Sequence, residues 1–193
     1  MKARKITFVC LICVSLFLGN FLTAASSKDK SPDKLEWGTP VDGIELSVSA
    51  AASQKAEIPE IQLELQNTGD KDITLNLGTI LANGKAQLPD SFSLDITDAN
   101  GKIRSFEFFD GKYAAIAGRV DDYILPLRAG SIYTLKIGLD KFYSSKENLI
   151  GSKLPVGKYQ INAHFNGDDT NIISSEMIIW HGKLQSNTLA FEK

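Results

Sequence analysis

Apolar side chains recur at every second position through most of this chain, and that period limits it to extended structure. Ile44, Leu46, Val48 and Ala50 alternate with Glu45, Ser47 and Ser49, and Ile61, Leu63 and Leu65 alternate with Gln62, Glu64 and Gln66. Successive side chains of a strand point to opposite faces, so each run predicts a strand with one buried and one wetted face. Asn67-Thr68-Gly69-Asp70-Lys71 is a cluster of turn formers, after which Ile73, Leu75 and Leu77 resume the alternation, which predicts a hairpin with a short loop. Phe92, Leu94 and Ile96 continue the pattern, and Asp98-Ala99-Asn100-Gly101 supplies an Asn-Gly turn into a return strand near Ile103.

Further on, Tyr123 opens a strand that reaches Leu127, and Ala129-Gly130 turns into an antiparallel run with Tyr133, Leu135, Ile137 and Leu139 on one face. Tyr159, Ile161, Ala163 and Phe165 oppose Gln160, Asn162 and His164, and two last strands are expected near residues 176–180 and 188–191. No segment past the N-terminus carries a 3.6-residue apolar period over eleven residues; residues 140–149 are the best helical candidate, worth one or two turns. The expectation is an all-β, antiparallel sandwich of about eight or nine strands. A chain of about 150 residues buries roughly 68–70% of its unfolded surface, so such a core needs neither metal nor disulfide. The absence of an internal repeat argues against a propeller or solenoid.

Lys2, Arg4 and Lys5 precede an uncharged run over residues 6–22, followed by Thr23, Ala24, Ala25 and Ser26. Residues 1–25 therefore read as a secretory signal peptide, cleaved after Ala25, with a retained anchor as the alternative. Both cysteines, Cys10 and Cys13, fall inside that run, so the exported chain has no thiol with which to form a disulfide. Cys13 follows Leu11 and Ile12 in mid-run, which does not fit a lipidation site. Residues 26–34 are polar and read as a flexible linker, leaving residues 35–193 as the sandwich domain. Cleavage leaves 18 basic against 23 acidic side chains and a charge of −5, which supplies no positive field for nucleic acid. A secreted or periplasmic bacterial protein, without stable membrane insertion once cleaved, is the expected setting.

Leu154-Pro155-Val156-Gly157-Lys158-Tyr159 resembles the corner before a late strand in bacterial immunoglobulin-like and fibronectin-like domains. The resemblance implies that the Tyr159 hydroxyl bonds nearby backbone and pins the crossover. Together with Asn67 to Leu75 and the Arg128-Ala129-Gly130-Ser131 turn, it is also similar to the bacillar-type proteinase-inhibitor domain, over about half of the mature domain. That similarity implies inhibition as an alternative function, with no inhibitory residue carried across; the export signal departs from the family pattern.

Phe106-Glu107-Phe108-Phe109-Asp110-Gly111-Lys112-Tyr113 is the most aromatic stretch. Alternation can bury only one of the adjacent Phe108 and Phe109, so Phe106, Phe108, Phe109 and Tyr113 are the candidate binding residues, with closure of the core's open end as the structural reading. Trp37 is expected to seal the edge where the chain joins the sandwich, and Trp180 to pack. Asp121-Asp122 and Asp168-Asp169 are loop carboxylates of the kind that hold Ca²⁺, but they lack EF-hand spacing and read as solvated turn residues. His164 and His181 are the histidines, with no HExxH arrangement, and His164 is expected to be exposed. There is no Gly-x-Ser-x-Gly elbow, P-loop or Gly-x-Gly-x-x-Gly. The chain therefore reads as a non-enzymatic module without cofactor or metal that engages a protein or glycan; an enzyme of unrecognised type requires a histidine beside a carboxylate and a nucleophile.

Overall fold

The computed structural model describes residues 35–51, 58–81, 85–109, 120–168 and 179–193. Residues 1–25 and 26–34, expected to be a signal peptide and a linker, lie outside them, as do Tyr113 and Asp169. Twelve strands follow in order: β1 (Ile44–Ala50), β2 (Glu60–Asn67), β3 (Ile73–Leu81), β4 (Ala86–Leu88), β5 (Phe92–Asp98), β6 (Ile103–Phe108), β7 (Val120–Leu127), β8 (Ile132–Gly138), β9 (Phe142–Ser144), β10 (Leu149–Ile150), β11 (Lys158–Asn166) and β12 (Lys183–Glu192). Every pairing among them is antiparallel. The sheet orders are β1-β2-β8, β4-β3-β7 and β10-β9-β6-β5-β11-β12. The fold is an all-β sandwich, as the two-residue period predicts; β4, β9 and β10, with two or three residues each, are too short to leave a period.

Alternating side chains from all three sheets meet in one core, including Leu63 and Leu65 of β2, Leu75 and Leu77 of β3, Leu94 and Ile96 of β5, and Ile161 and Phe165 of β11. Each such side chain stabilises the fold by about 1.5–3 kcal/mol relative to exposure. The Asp98 to Gly101 hairpin forms as expected between β5 and β6. The Asp98 carboxylate accepts from the Asn100 and Lys102 N–H groups at 2.9 and 3.0 Å, and Gly101 takes φ = 80°, which a side chain resists.

The expected hairpin around residues 67–71 does not form. β2 pairs with β1 and β8, while β3 pairs with β4 and β7. β7 and β8 likewise do not pair with each other. Instead the β2–β8 ribbon bends and continues as β3–β7, and the two connections run side by side. The Asn67 N–H donates to the Ser131 carbonyl (3.0 Å), the Gly130 N–H to the Asn67 carbonyl (2.8 Å), and the Ala129 N–H to the Asp72 carboxylate (3.0 Å). Asn67 is 1% exposed, and its amide explains the bend. Nδ2 donates to the Lys71 and Leu127 carbonyls at 2.8 and 3.1 Å, and Oδ1 accepts from Gly69 N–H at 3.0 Å. Turn formers announce a change of direction; which strands then pair depends on side-chain bonds of this kind.

Two further devices close the sandwich. The Tyr159 hydroxyl donates to the Pro155 carbonyl at 2.8 Å, the expected corner. Along the seam between β1 and β12, the Asn187 amide imitates a strand: Oδ1 accepts from Val48 N–H at 2.7 Å and Nδ2 donates to the Val48 carbonyl at 3.0 Å. Asn187 can turn that way because β12 slips register between the partners of Asn162 and His164, and the Ser186 hydroxyl accepts the Ala163 N–H at 2.8 Å.

Residues 140–149 do not form the helical candidate. A single 3-10 turn at Leu139–Lys141 is followed by β9, a turn and β10, because Leu139 and Phe142 are both fully buried, anchoring the turn and the strand that follows. The last strand is longer than expected, Lys183–Glu192, and of the strand expected near residues 176–180 the described part, Ile179 and Trp180, is not extended into a sheet.

Candidate functional site

The parity of β6 separates the candidate rings. Phe106 is 0% exposed and lies in the core, so it gives a partner nothing to touch; the binding role expected of it is corrected to a packing one. Phe108, two residues on, shares the inward face, is half-buried, and meets Phe142 edge-on with centroids 6.0 Å apart. Phe109 points the other way and is 49% exposed. It lies 5.6 Å from Tyr143, a residue that the sequence reading missed.

Local structure holds this pair. Glu107 and Phe108 register with Tyr143 and Phe142 in the β6–β9 ladder, and the Phe109 N–H donates to the Lys141 carbonyl at 2.7 Å. The Tyr143 hydroxyl donates to the Asn148 side chain at 2.8 Å. The result is a two-ring surface beside the end of β6, with limited freedom to lose on contact.

Beside it opens a cleft of about 450 Å³, bordered by Glu107 and Phe108 of β6, Asp122 of β7, Asn76 of β3, Ser93 of β5 and Asn166 of β11. Asn76 is a polar residue, 2% exposed, between buried Leu75 and Leu77. Its Oδ1 accepts from Gly78 N–H at 3.0 Å and its Nδ2 reaches Asp122 Oδ1 at 3.4 Å, which supports the irregularity of β3 between Asn76 and Thr79. The Ser91 hydroxyl donates to the Asn76 carbonyl at 3.2 Å. A lining of carboxylates, amides and hydroxyls accepts hydrogen bonds from a polar ligand, and Phe108 adds an apolar wall. An isolated Asn between leucines was the available signal for this cleft.

Three of the four paired aspartates, Asp121, Asp122 and Asp168, are among the described residues. Asp121 and Asp122 lie within β7, not in a loop, and face opposite sides of it. Asp168 is exposed in a turn in which its N–H donates to the Asn166 side chain at 3.2 Å. Among the described residues no group of three or more His, Cys, Asp or Glu side chains is placed to hold a metal ion.

His164, expected to be exposed, is partly so, and its Nε2 lies 3.2 Å from Asp95 Oδ2. Ser105 donates to the other oxygen of the same carboxylate at 2.7 Å. The carboxylate thus stands between hydroxyl and imidazole, so the serine is offered no histidine base. At the opposite end of β5, the Lys102 N–H, followed by Arg104 and Asn100, holds the Asp98 carboxyl below its ordinary value of 3.8. Lys102, 2.6 Å away, and Arg104 likewise lower the Glu147 carboxyl. Tyr133 is pushed up by burial and by its 2.8 Å contact with the Tyr123 hydroxyl. These shifts arise from structural ties.

Trp180 packs as expected, 8% exposed and stacked on Phe165 at 6.1 Å. No helix among the described residues is long and apolar enough to cross a membrane. No family model and no curated protein matches the sequence. A solved structure, the β-glucuronidase of Bacteroides uniformis, is similar at 12% identity with a TM-score of 0.32 over 76% of this chain. The match spans 13% of that chain, and at this score the likeness carries no argument.

Proposed function

We propose that this chain is an exported, non-enzymatic binding or accessory module of immunoglobulin-like fold that engages a protein or glycan through the ring-bearing end of the sandwich. One observation carries the reading: Phe109 stands 49% exposed against Tyr143, directly after Glu107 and Phe108, which border a polar cleft. Rings with few rotatable bonds give contact area at small entropic cost, which suits a recognition surface. The Tyr159 corner supports the immunoglobulin-like assignment.

Affinity capture from the native envelope or culture medium tests this. Phe109→Ser with Tyr143→Ser removes the exposed ring and its partly buried partner, and Tyr113→Ala extends the change along the sequence. Partner capture is expected to fall while the circular dichroism and thermal midpoint persist. Unchanged capture removes the patch from consideration, and global unfolding assigns the rings to the core.

Inhibition of a proteinase is a second reading, favoured by one observation. The two turns on which the inhibitor resemblance rests lie bonded side by side, with Thr68 to Asp72 and Arg128 to Gly130 exposed. A panel of serine and metalloproteases left fully active by the purified protein overturns it.

A further inference from the structure

A second groove lies between residues 37–41 and the β11–β12 ladder and shares no lining residue with the first cleft. It encloses about 710 Å³, within the range of about 300–1,000 Å³ typical of small-ligand clefts. Residues 37–41 form one wall. The Glu36 carbonyl accepts the Ser47 hydroxyl at 2.6 Å, and the Gly38 N–H donates to the Leu46 carbonyl at 2.9 Å. Gly38 presses so closely on β12 that a methyl group there would collide with the Gln185 carbonyl oxygen. The wall is therefore fixed, and Trp37, half-buried and outside the core cluster, lines the groove.

The floor is the outer face of β11 and β12. Asn162, Gln185, Thr188 and Lys183 project from it. Asn162 Nδ2 is occupied, donating to the Asn187 carbonyl (3.2 Å) and to Thr188 Oγ1 (2.9 Å). That leaves Asn162 Oδ1, the whole Gln185 amide and the Lys183 ammonium without a hydrogen-bond partner among the described residues. The groove thus joins the Trp37 indole to the free Gln185 amide, Asn162 Oδ1 and the Lys183 ammonium.

We propose that this groove binds a neutral glycan. A pyranose ring has apolar C–H faces that cover an indole and equatorial hydroxyls that both donate and accept, and the side-chain amides supply both partners. Lys183 is the single charged residue among those lining the groove, so the field favours no strongly charged ligand. A peptide bound by strand addition needs an open edge, and the edge of β12 is already covered by Asn187 against Val48 and by Gly38 against Gln185.

The test is a printed array of neutral glycans probed with the full chain, followed by fluorescence titration of the strongest soluble oligosaccharides. Trp180 is buried, so a change in emission on binding is expected to come from Trp37. Trp37→Ala is expected to abolish the signal and Trp37→Phe to retain part of the affinity. Gln185→Ala, an exposed change with little effect on folding, is expected to weaken binding about tenfold, the loss of a hydrogen bond worth about 1.4 kcal/mol. No neutral glycan bound by the wild type overturns the proposal. So does glycan affinity unchanged in both Trp37→Ala and Gln185→Ala, or a groove that takes charged sugars or peptides in place of neutral ones. Phe109→Ser is expected to leave the glycan-dependent change in Trp37 emission intact, which separates this groove from the ring-bearing end.

Discussion

Replacing Asn67 with Ala removes the side chain around which two ribbons bend together, and the cost follows from its three bonds. The Leu127 carbonyl lies in a buried setting, Leu127 being 4% exposed, and loses the amide that satisfies it at 3.1 Å. An orphaned buried acceptor costs about 1–3 kcal/mol. Lys71 and Gly69 are exposed, so water replaces their lost bonds and each contributes about 0.5 kcal/mol. The expected loss is about 2–4 kcal/mol, a large share of the roughly 5–15 kcal/mol that holds a domain folded. Urea denaturation followed by circular dichroism measures it as a lower midpoint with unchanged slope. Thr68→Ala, which loses an exposed 3.0 Å bond to the Gly43 carbonyl, is the comparison and is expected to cost under about 1 kcal/mol. An Asn67→Ala protein no less stable than Thr68→Ala refutes the role given to the buried amide.

Tyr159→Phe deletes the 2.8 Å bond to the Pro155 carbonyl while leaving the ring in place, and is expected to cost about 1 kcal/mol in the same assay; no change shows that the corner is packing alone. The Asp98 and Glu147 carboxyls are held below their ordinary values in the folded state. Their stabilisation is therefore complete above their unfolded values and lost as pH falls through the folded ones. Asp98→Asn is expected to flatten the fall in stability below about pH 4, and an acid limb identical to wild type contradicts the assignment. Because both cysteines precede residue 14, the thermal midpoint is expected to be the same with and without reductant; a shift reveals a disulfide that involves the retained leader.

Strand existence was legible wherever one face is buried against the core, as in β1, β2, β5 and β11, because burial imposes a strict period of two. Partner choice was not, since the same period says which face is buried and nothing about which neighbour is bonded. Asn67 and Asn187 decide that choice through side-chain amides that imitate backbone. The slip in β12 did leave a trace: Leu184 and Leu189 lie on opposite parities, so a strand holding both inward must bulge between them. The aromatic stretch was legible as a composition, and alternation said that only one of Phe108 and Phe109 can be buried; which one turns outward, Phe109, follows from the burial of Phe106, which the sequence did not reveal. Its partner Tyr143 was hidden because β9 is three residues long; Trp37 was legible as an edge residue, but the groove beside it was not, because nothing local reveals the polar side chains that the fold brings there.

Site-specific photo-crosslinking tests the central claim most directly. A benzophenone side chain at position 109, on the ring-bearing end, is compared with one at position 156, where Val156 is 88% exposed near the Tyr159 end of β11. Covalent capture of a native partner at 109 and not at 156 is the predicted result. Capture at 156 with none at 109 contradicts it.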